Sequence, residues 1–174
     1  EVTPEPIPRR PPKRRPTMAR TDDAGQAGER FPDVERAVAA AREATDAVGD
    51  YDQAAVDGLV RAVGWAVLRE DRCVRIVGRC ARETGIGTQE ATRRKLRRIV
   101  RTALEEMLGE PSVGRIDTDR PGVVEVVKPV GVVGALVSST NPAATTAFLA
   151  AAAVKGRNAV VFSPPPPAVA TCEL

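Results

Sequence analysis

The sequence contains no histidine. That removes the side chain that titrates nearest neutral pH and the commonest metal ligand. A Ser-His-Asp hydrolase or a His-bound zinc site is therefore excluded within these residues. Cysteine is scarce and odd in number, with Cys73, Cys80 and Cys172 showing no CxxC spacing and no secretory signal ahead of them. This usage fits a reduced, cytoplasmic setting. Aromatic residues make up only 3% of the chain, which leaves a nucleic-acid binder without stacking platforms. Long apolar runs are missing too: the most apolar window, Ala143 to Val154, is too short for a bilayer and is diluted by Thr145 and Thr146, so no membrane span is expected. There is also no GxGxxG fingerprint, because Gly131 and Gly134 fall inside an apolar run instead of after it.

What is present is enough for one modest core, at 174 residues and 43% hydrophobic. Proline is unevenly spread, from Pro4 to Pro16 at one end and Pro164 to Pro167 at the other. Residues 1–30 combine proline, arginine and a Gly/Asp/Gln-rich stretch, and are expected to be a disordered leader. Met18, just past the proline-arginine run, is a candidate start, the alternative being a genuine basic arm. The net charge of +3 owes much to Arg9, Arg10, Lys13, Arg14 and Arg15, so the rest is nearly neutral.

From Asp33 the apolar residues recur at helical period. Val34, Ala37, Val38, Ala41, Ala44 and Val48 make one stripe. A second helix from about Asp52 turns Val56, Leu59, Val60, Val63 and Val67 inward. A third carries Cys73, Ile76, Val77 and Cys80 and ends at Thr84-Gly85, glycine being the usual left-handed stop. A fourth from about Gln89 buries Leu96, Ile99, Val100, Ala103, Leu104, Met107 and Leu108 and stops at Gly109 before Pro111.

The second half switches period. Val123 to Val127 suits a strand, and Val130 to Val137, apolar nearly throughout, reads as a strand buried on both faces. After the break Ser138-Ser139-Thr140-Asn141-Pro142, Ala143 to Lys155 has helical composition, and Gly156-Arg157-Asn158 leads into a second strand, Ala159 to Phe162. Strand, helix, strand indicates a right-handed parallel crossover. The predicted fold class is α/β: a helical N-terminal region followed by the first strands of a doubly wound parallel sheet.

In such a sheet, ligands bind beyond the carboxyl ends of the strands. The loop Ser138 to Pro142 and the loop starting at Ser163 both lie at such ends and should sit side by side. Asn141, before Pro142, reads first as a helix N-cap. Capping would use its carbonyl oxygen and leave the side-chain NH₂ free to face the crevice. There it could steady a developing oxyanion.

The segment Lys128 to Ala168, KPVGVVGALVSSTNPAATTAFLAAAAVKGRNAVVFSPPPPA, strongly resembles the aldehyde dehydrogenase superfamily, and within it the CoA-acylating acetaldehyde and sulfoacetaldehyde dehydrogenase type. Upstream, VRAVGWAV and ETGIG, with Lys95 beyond, are similar to that branch's helical N-terminal region. The resemblance covers roughly Asp33 to Leu174. It implies that Asn141 is the oxyanion-holding asparagine, that Ser139 and Thr140 lie along the nicotinamide side of NAD or NADP, and that Ser163, Pro164 and Pro165 flank its adenosine ribose. Val123 to Lys128 would belong to a hairpin through which subunits form a homo-oligomer. The small-molecule partners implied are an aldehyde and coenzyme A. In the family a cysteine attacks the aldehyde, hydride passes to NAD(P), and coenzyme A releases the thioester.

Set against that pattern, Cys172 comes too early to be the nucleophile, and Cys73 and Cys80 read as small buried hydrophobes on an N-terminal helix. Residues 31–174 are therefore expected to be the front part of the cofactor-binding domain, an incomplete aldehyde dehydrogenase fold inactive by itself, with no metal site. Ser139 stands where the acylating relatives usually carry proline, and Pro165 to Pro167 replace a more varied stretch. The basic stripe Arg93, Arg94, Lys95, Arg97, Arg98 and Arg101 reads as a solvated helix face opposite Leu96, Ile99 and Val100. Two other readings remain: a non-acylating aldehyde dehydrogenase, and a basic nucleic-acid-binding module, which the low aromatic content disfavours.

Overall fold

The computed structural model describes residues 31–116 and 120–174. The expected leader and Met18 lie outside the described residues. The first helix, α1 (Pro32–Ala47), starts with a proline whose missing N–H costs nothing there, and Asp33 and Glu35 face the positive end of its dipole. In α2 (Gln53–Leu68), Asp52 is the N-cap, its carboxylate accepting from the Ala55 N–H at 2.8 Å. Helix α3 (Glu70–Thr84) ends where expected: Gly85 adopts φ 63°, a left-handed turn that glycine makes without a Cβ clash. Thr88 caps α4 (Gln89–Leu108) by accepting from the Ala91 N–H at 3.2 Å.

The short strands β1 (Gly114–Ile116) and β2 (Glu125–Val127) form an antiparallel pair, while β3 (Val132–Leu136) and β4 (Ala159–Ser163) run parallel in the register Val132 to Ala159 through Leu136 to Ser163. The crossover between β3 and β4 is α5 (Pro142–Lys155), and a 3-10 turn at Pro166–Ala168 leads to α6 (Val169–Cys172). At the start of the parallel pair, Asn158 Oδ1 accepts from the N–H groups of Val130 and Gly131 at 2.7 and 3.0 Å, fixing where β3 begins relative to β4.

The core lies between the helices. Cys73, Ile76, Val77 and Cys80 of α3 meet Leu96 and Val100 of α4 and Ala143, Ala144 and Ala147 of α5. Alanines on α5 let three helices approach one another closely, so the crossover helix is held from the side away from the sheet. One buried ion pair stitches this arrangement: Lys155 Nζ at the end of α5 meets Asp57 Oδ1 on α2 at 2.7 Å, with side-chain exposures of 9% and 15%. Gln53 adds a second bond to Asp57 at 2.9 Å and accepts from the Ser112 N–H at 2.8 Å.

Two expectations need correction. The strand read as buried on both faces is only partly covered, with Leu136 84% exposed, because the described parallel sheet has two strands and α1 shields only part of it. For the same reason the α1 stripe is covered only in part: Ala41 is buried, Ala37, Val38 and Val48 are half-buried, and Val34 and Ala44 are exposed. The turn into β4 takes its positive φ at Arg157 (56°) and not at Gly156, and the Arg157 guanidinium donates to the Gly49 carbonyl at 2.5 Å. β1 is three residues long and was not anticipated from the sequence.

Candidate active site

Parallel pairing brings the two ligand-facing loops together. The Val137 N–H donates to the Ser163 carbonyl at 3.0 Å, so the chain leaves β3 and β4 at one edge of the sheet. The first loop is shaped by its own hydroxyls. Ser138 Oγ and Thr140 Oγ1 are 2.9 Å apart, and the Thr140 N–H donates to Ser138 Oγ at 3.3 Å, a hydroxyl-closed turn that delivers Asn141 to the start of α5.

Asn141 does not cap α5 with its side chain. Its backbone carbonyl accepts from the Thr145 N–H at 2.9 Å, but its φ of −145° and ψ of 51° leave the usual extended cap geometry. Its Oδ1 instead accepts from Lys95 Nζ at 2.7 Å. The expected cap is therefore overruled by a charge-assisted bond to a residue on α4. The side-chain NH₂ remains available for another acceptor, now because the lysine takes the oxygen.

Lys95, Thr140 and Asn141 line one recess of about 70 Å³ together with Cys80, Thr84 and the first turns of α4 and α5. Cys80 is 5% exposed, and burial pushes its thiol pKa up, although the Ala143 N–H and the Thr84 hydroxyl work in the opposite direction. A nucleophilic cysteine needs the reverse shift, so Cys80 belongs to the packing of this recess. Cys73 is fully buried and Cys172 half-buried, its sulfur 3.4 Å from Thr146 Oγ1. No group of histidine, cysteine or carboxylate side chains among the described residues could hold a metal ion.

The remaining candidates are divided. Ser163 and Pro164 line a separate open trough between α1 and the sheet, alongside Arg42 and Thr45, while Ser139 and Pro165 line neither hollow. The structure thus brings Thr140 and Asn141 together, and holds Ser163 near them only through the backbone bond to Val137. Lys95 is the addition that residue-pattern reasoning missed, since it read as one member of a solvated basic face. That face is itself subdivided. Arg93 and Arg97 both reach Glu70, at 2.7 and 2.6 Å, whereas Arg94, Arg98 and Arg101 are exposed.

Comparison with known proteins agrees with this architecture. The sequence profile of the aldehyde dehydrogenase family matches residues 3–174. A sulfoacetaldehyde dehydrogenase (acylating) of Bilophila wadsworthia is 38% identical over 71% of this chain and 27% of its own length. Among solved structures, an acetylating aldehyde dehydrogenase from Geobacillus thermoglucosidasius superposes with a TM-score of 0.76 at 30% identity, over 81% of this chain and 31% of that one. A propionaldehyde dehydrogenase of Rhodopseudomonas palustris, with bound CoA and an acylated cysteine, gives a TM-score of 0.63 at 25% identity over 79% and 31%. The chain spans less than a third of the length of each of these relatives. No helix among the described residues is long and apolar enough to cross a membrane. The helical first half, the parallel crossover that follows it and the family match together show that this chain belongs to the aldehyde dehydrogenase family, in the neighbourhood of its CoA-acylating members.

Proposed function

We propose that this segment supplies the oxyanion donor and part of the cofactor-facing edge of a CoA-acylating, NAD(P)-dependent aldehyde dehydrogenase. The observation that carries the reading is the Asn141 side chain, whose oxygen is engaged by Lys95 while its NH₂ stays available at the carboxyl edge of a parallel sheet. Attack on an aldehyde carbonyl, or on the acyl group when coenzyme A takes it, moves negative charge onto the carbonyl oxygen. A pre-placed amide donor lowers the energy of that charge without having to reorganise. The attacking thiolate, on this reading, comes from another part of the enzyme, since Cys73 and Cys80 are buried and the Cys80 pKa is raised.

NAD(P), when bound, supplies the acceptor for hydride. The trough lined by Ser163 and Pro164, about 920 Å³ along the sheet, fits contact with one side of such a group, and the Ser163 side chain is exposed at its rim. Ser139, Thr140 and Pro165 lie outside the lining of that trough and are proposed as cofactor contacts on the family resemblance alone. Acylation is preferred over hydrolysis because the relatives named above are acylating and acetylating enzymes.

The test is a chimera in which residues 31–174 replace the matching segment of the Bilophila enzyme, assayed with aldehyde, CoA and NAD(P). Asn141→Asp keeps an acceptor for Lys95 but removes the amide donor and sets a negative charge beside the oxyanion. Turnover should fall by on the order of 10²-fold or more while the melting temperature holds. Unchanged turnover in a folded Asn141→Asp chimera refutes the assignment.

A further inference from the structure

We propose that Lys95 is a positioning residue for the same chemistry: it holds the Asn141 amide one way round, oxygen toward α4 and NH₂ toward the reacting carbonyl. This rests on the reading of Asn141 given above. An asparagine side chain presents an acceptor at one end and donors at the other, and rotation about its last bond exchanges them. If the oxygen faced the oxyanion, the group would repel the charge it is meant to stabilise.

Nothing in α5 fixes this choice, because Asn141 makes no side-chain bond to the first turn of its own helix. Lys95 does fix it. An ammonium group only donates, so at 2.7 Å it can face nothing but the amide oxygen. The lysine is in turn aimed by its helix. Thr88 caps α4 seven residues earlier in the chain, and Arg93 and Arg97 grip Glu70 of α3. At about 100° per residue, Lys95 lies on the side of α4 roughly opposite those two arginines. The ion pairs on one side thereby set the rotation that points Lys95 into the recess on the other, where Leu96 is buried beside it. Without the lysine, no other bond among the described residues holds Asn141 Oδ1, and the amide is free to turn over between its two orientations.

Two measurements test this. In the ¹⁵N-labelled 174-residue chain, the Asn141 side-chain amide resonances should move in Lys95→Met and stay near their original place in Lys95→Arg. In the chimera, Lys95→Met should lower kcat roughly three- to tenfold, the low end for a charge-assisted bond at an exposed site. KM for the aldehyde should stay within about twofold, and Lys95→Arg should restore most of the rate. When Asn141 is already alanine, Lys95→Met should cost nothing further, since its effect passes through the amide. An equal loss of kcat in the Asn141→Ala background would show that Lys95 acts independently and overturns the proposal, as would an amide resonance that Lys95→Met leaves unmoved. If Asn141→Ala alone leaves kcat intact, the oxyanion reading fails, while the amide resonance still decides whether Lys95 orients the side chain.

Discussion

Breaking the Asp57–Lys155 pair should be costly from one side and nearly free when both partners are replaced. The charged atoms are 2.7 Å apart, with side-chain exposures of 15% and 9%. At an effective dielectric of about 20 their attraction is about 6 kcal/mol. Withdrawing the two ions from water costs several kcal/mol each, so the net worth of the pair is close to zero. Deleting one partner removes the attraction and keeps the other's desolvation. Asp57→Ala strands the more deeply buried Lys155 and should destabilise by about 3 kcal/mol, or roughly 6–12 °C in Tm. Lys155→Met should cost less, about 1–2 kcal/mol, because Asp57 is the less buried partner and keeps its bond from Gln53. The double variant Asp57→Asn, Lys155→Met should return to within about 1 kcal/mol of the parent. The pair also has a pH signature. The bond from Lys155 holds the Asp57 pKa below its ordinary 3.8. Its stabilisation is therefore complete above the unfolded value and is lost as pH falls through the lower folded value. Asp57→Asn should flatten the acid limb of stability below about pH 4 relative to wild type. Asp71, held at about 2 by Arg69, contributes its own acid slope to both proteins and cancels in the comparison. Urea denaturation followed by circular dichroism measures all of this. An Asp57→Ala loss under about 1 kcal/mol, or a double variant no better than the worse single one, refutes the reasoning.

Asn158→Ala removes the acceptor for the Val130 and Gly131 N–H groups and should cost about 1–2 kcal/mol in urea unfolding, whereas Asn158→Asp, which keeps the shared Oδ1 acceptor, should stay within about 0.5 kcal/mol. Gly64→Val should destabilise by about 1–3 kcal/mol, since even a Cβ there falls 2.3 Å from Leu104 Cδ1; unchanged melting would mean that Leu104 swings clear without cost. Gly85→Ala should cost about 1–2 kcal/mol from backbone strain alone, because no atom lies within 4 Å of the added Cβ. Glu70→Ala releases Arg93 and Arg97 but should shift stability by under about 1 kcal/mol, these pairs being solvent-screened, and a larger loss by thermal melting would contradict that.

The parts of this fold that were legible in the sequence are those governed by neighbours along the chain. The spacing of Cys73, Ile76, Val77 and Cys80 identified a buried face, and Gly85 marked its end, because helix period and left-handed stops are local matters. The two parallel strands were legible from their apolar runs, but their exposure was not, since it depends on what covers the sheet. Asn141 shows the same limit at the site. Asn-Pro is a strong local signal for a capped helix, yet a lysine 46 positions earlier takes the capping oxygen. Asp57 and Lys155 are 98 positions apart, and neither carries any local mark of its partner. β1 escaped notice because three residues, Gly114 to Ile116, are too few to display a period.

The uncapped start of α5 has a consequence for how this protein could be improved and at what cost. A serine at position 141, too short to reach Lys95 and free to cap α5, would be worth about 1 kcal/mol to the helix. Selection for robustness alone would favour such a change at position 141, and a screen for heat tolerance should recover it. The observed asparagine forgoes that gain, turning its oxygen outward to α4 instead of down onto its own helix. Position 141 is thus a place where thermostability and turnover pull in opposite directions, so variants selected for one should be counter-selected for the other.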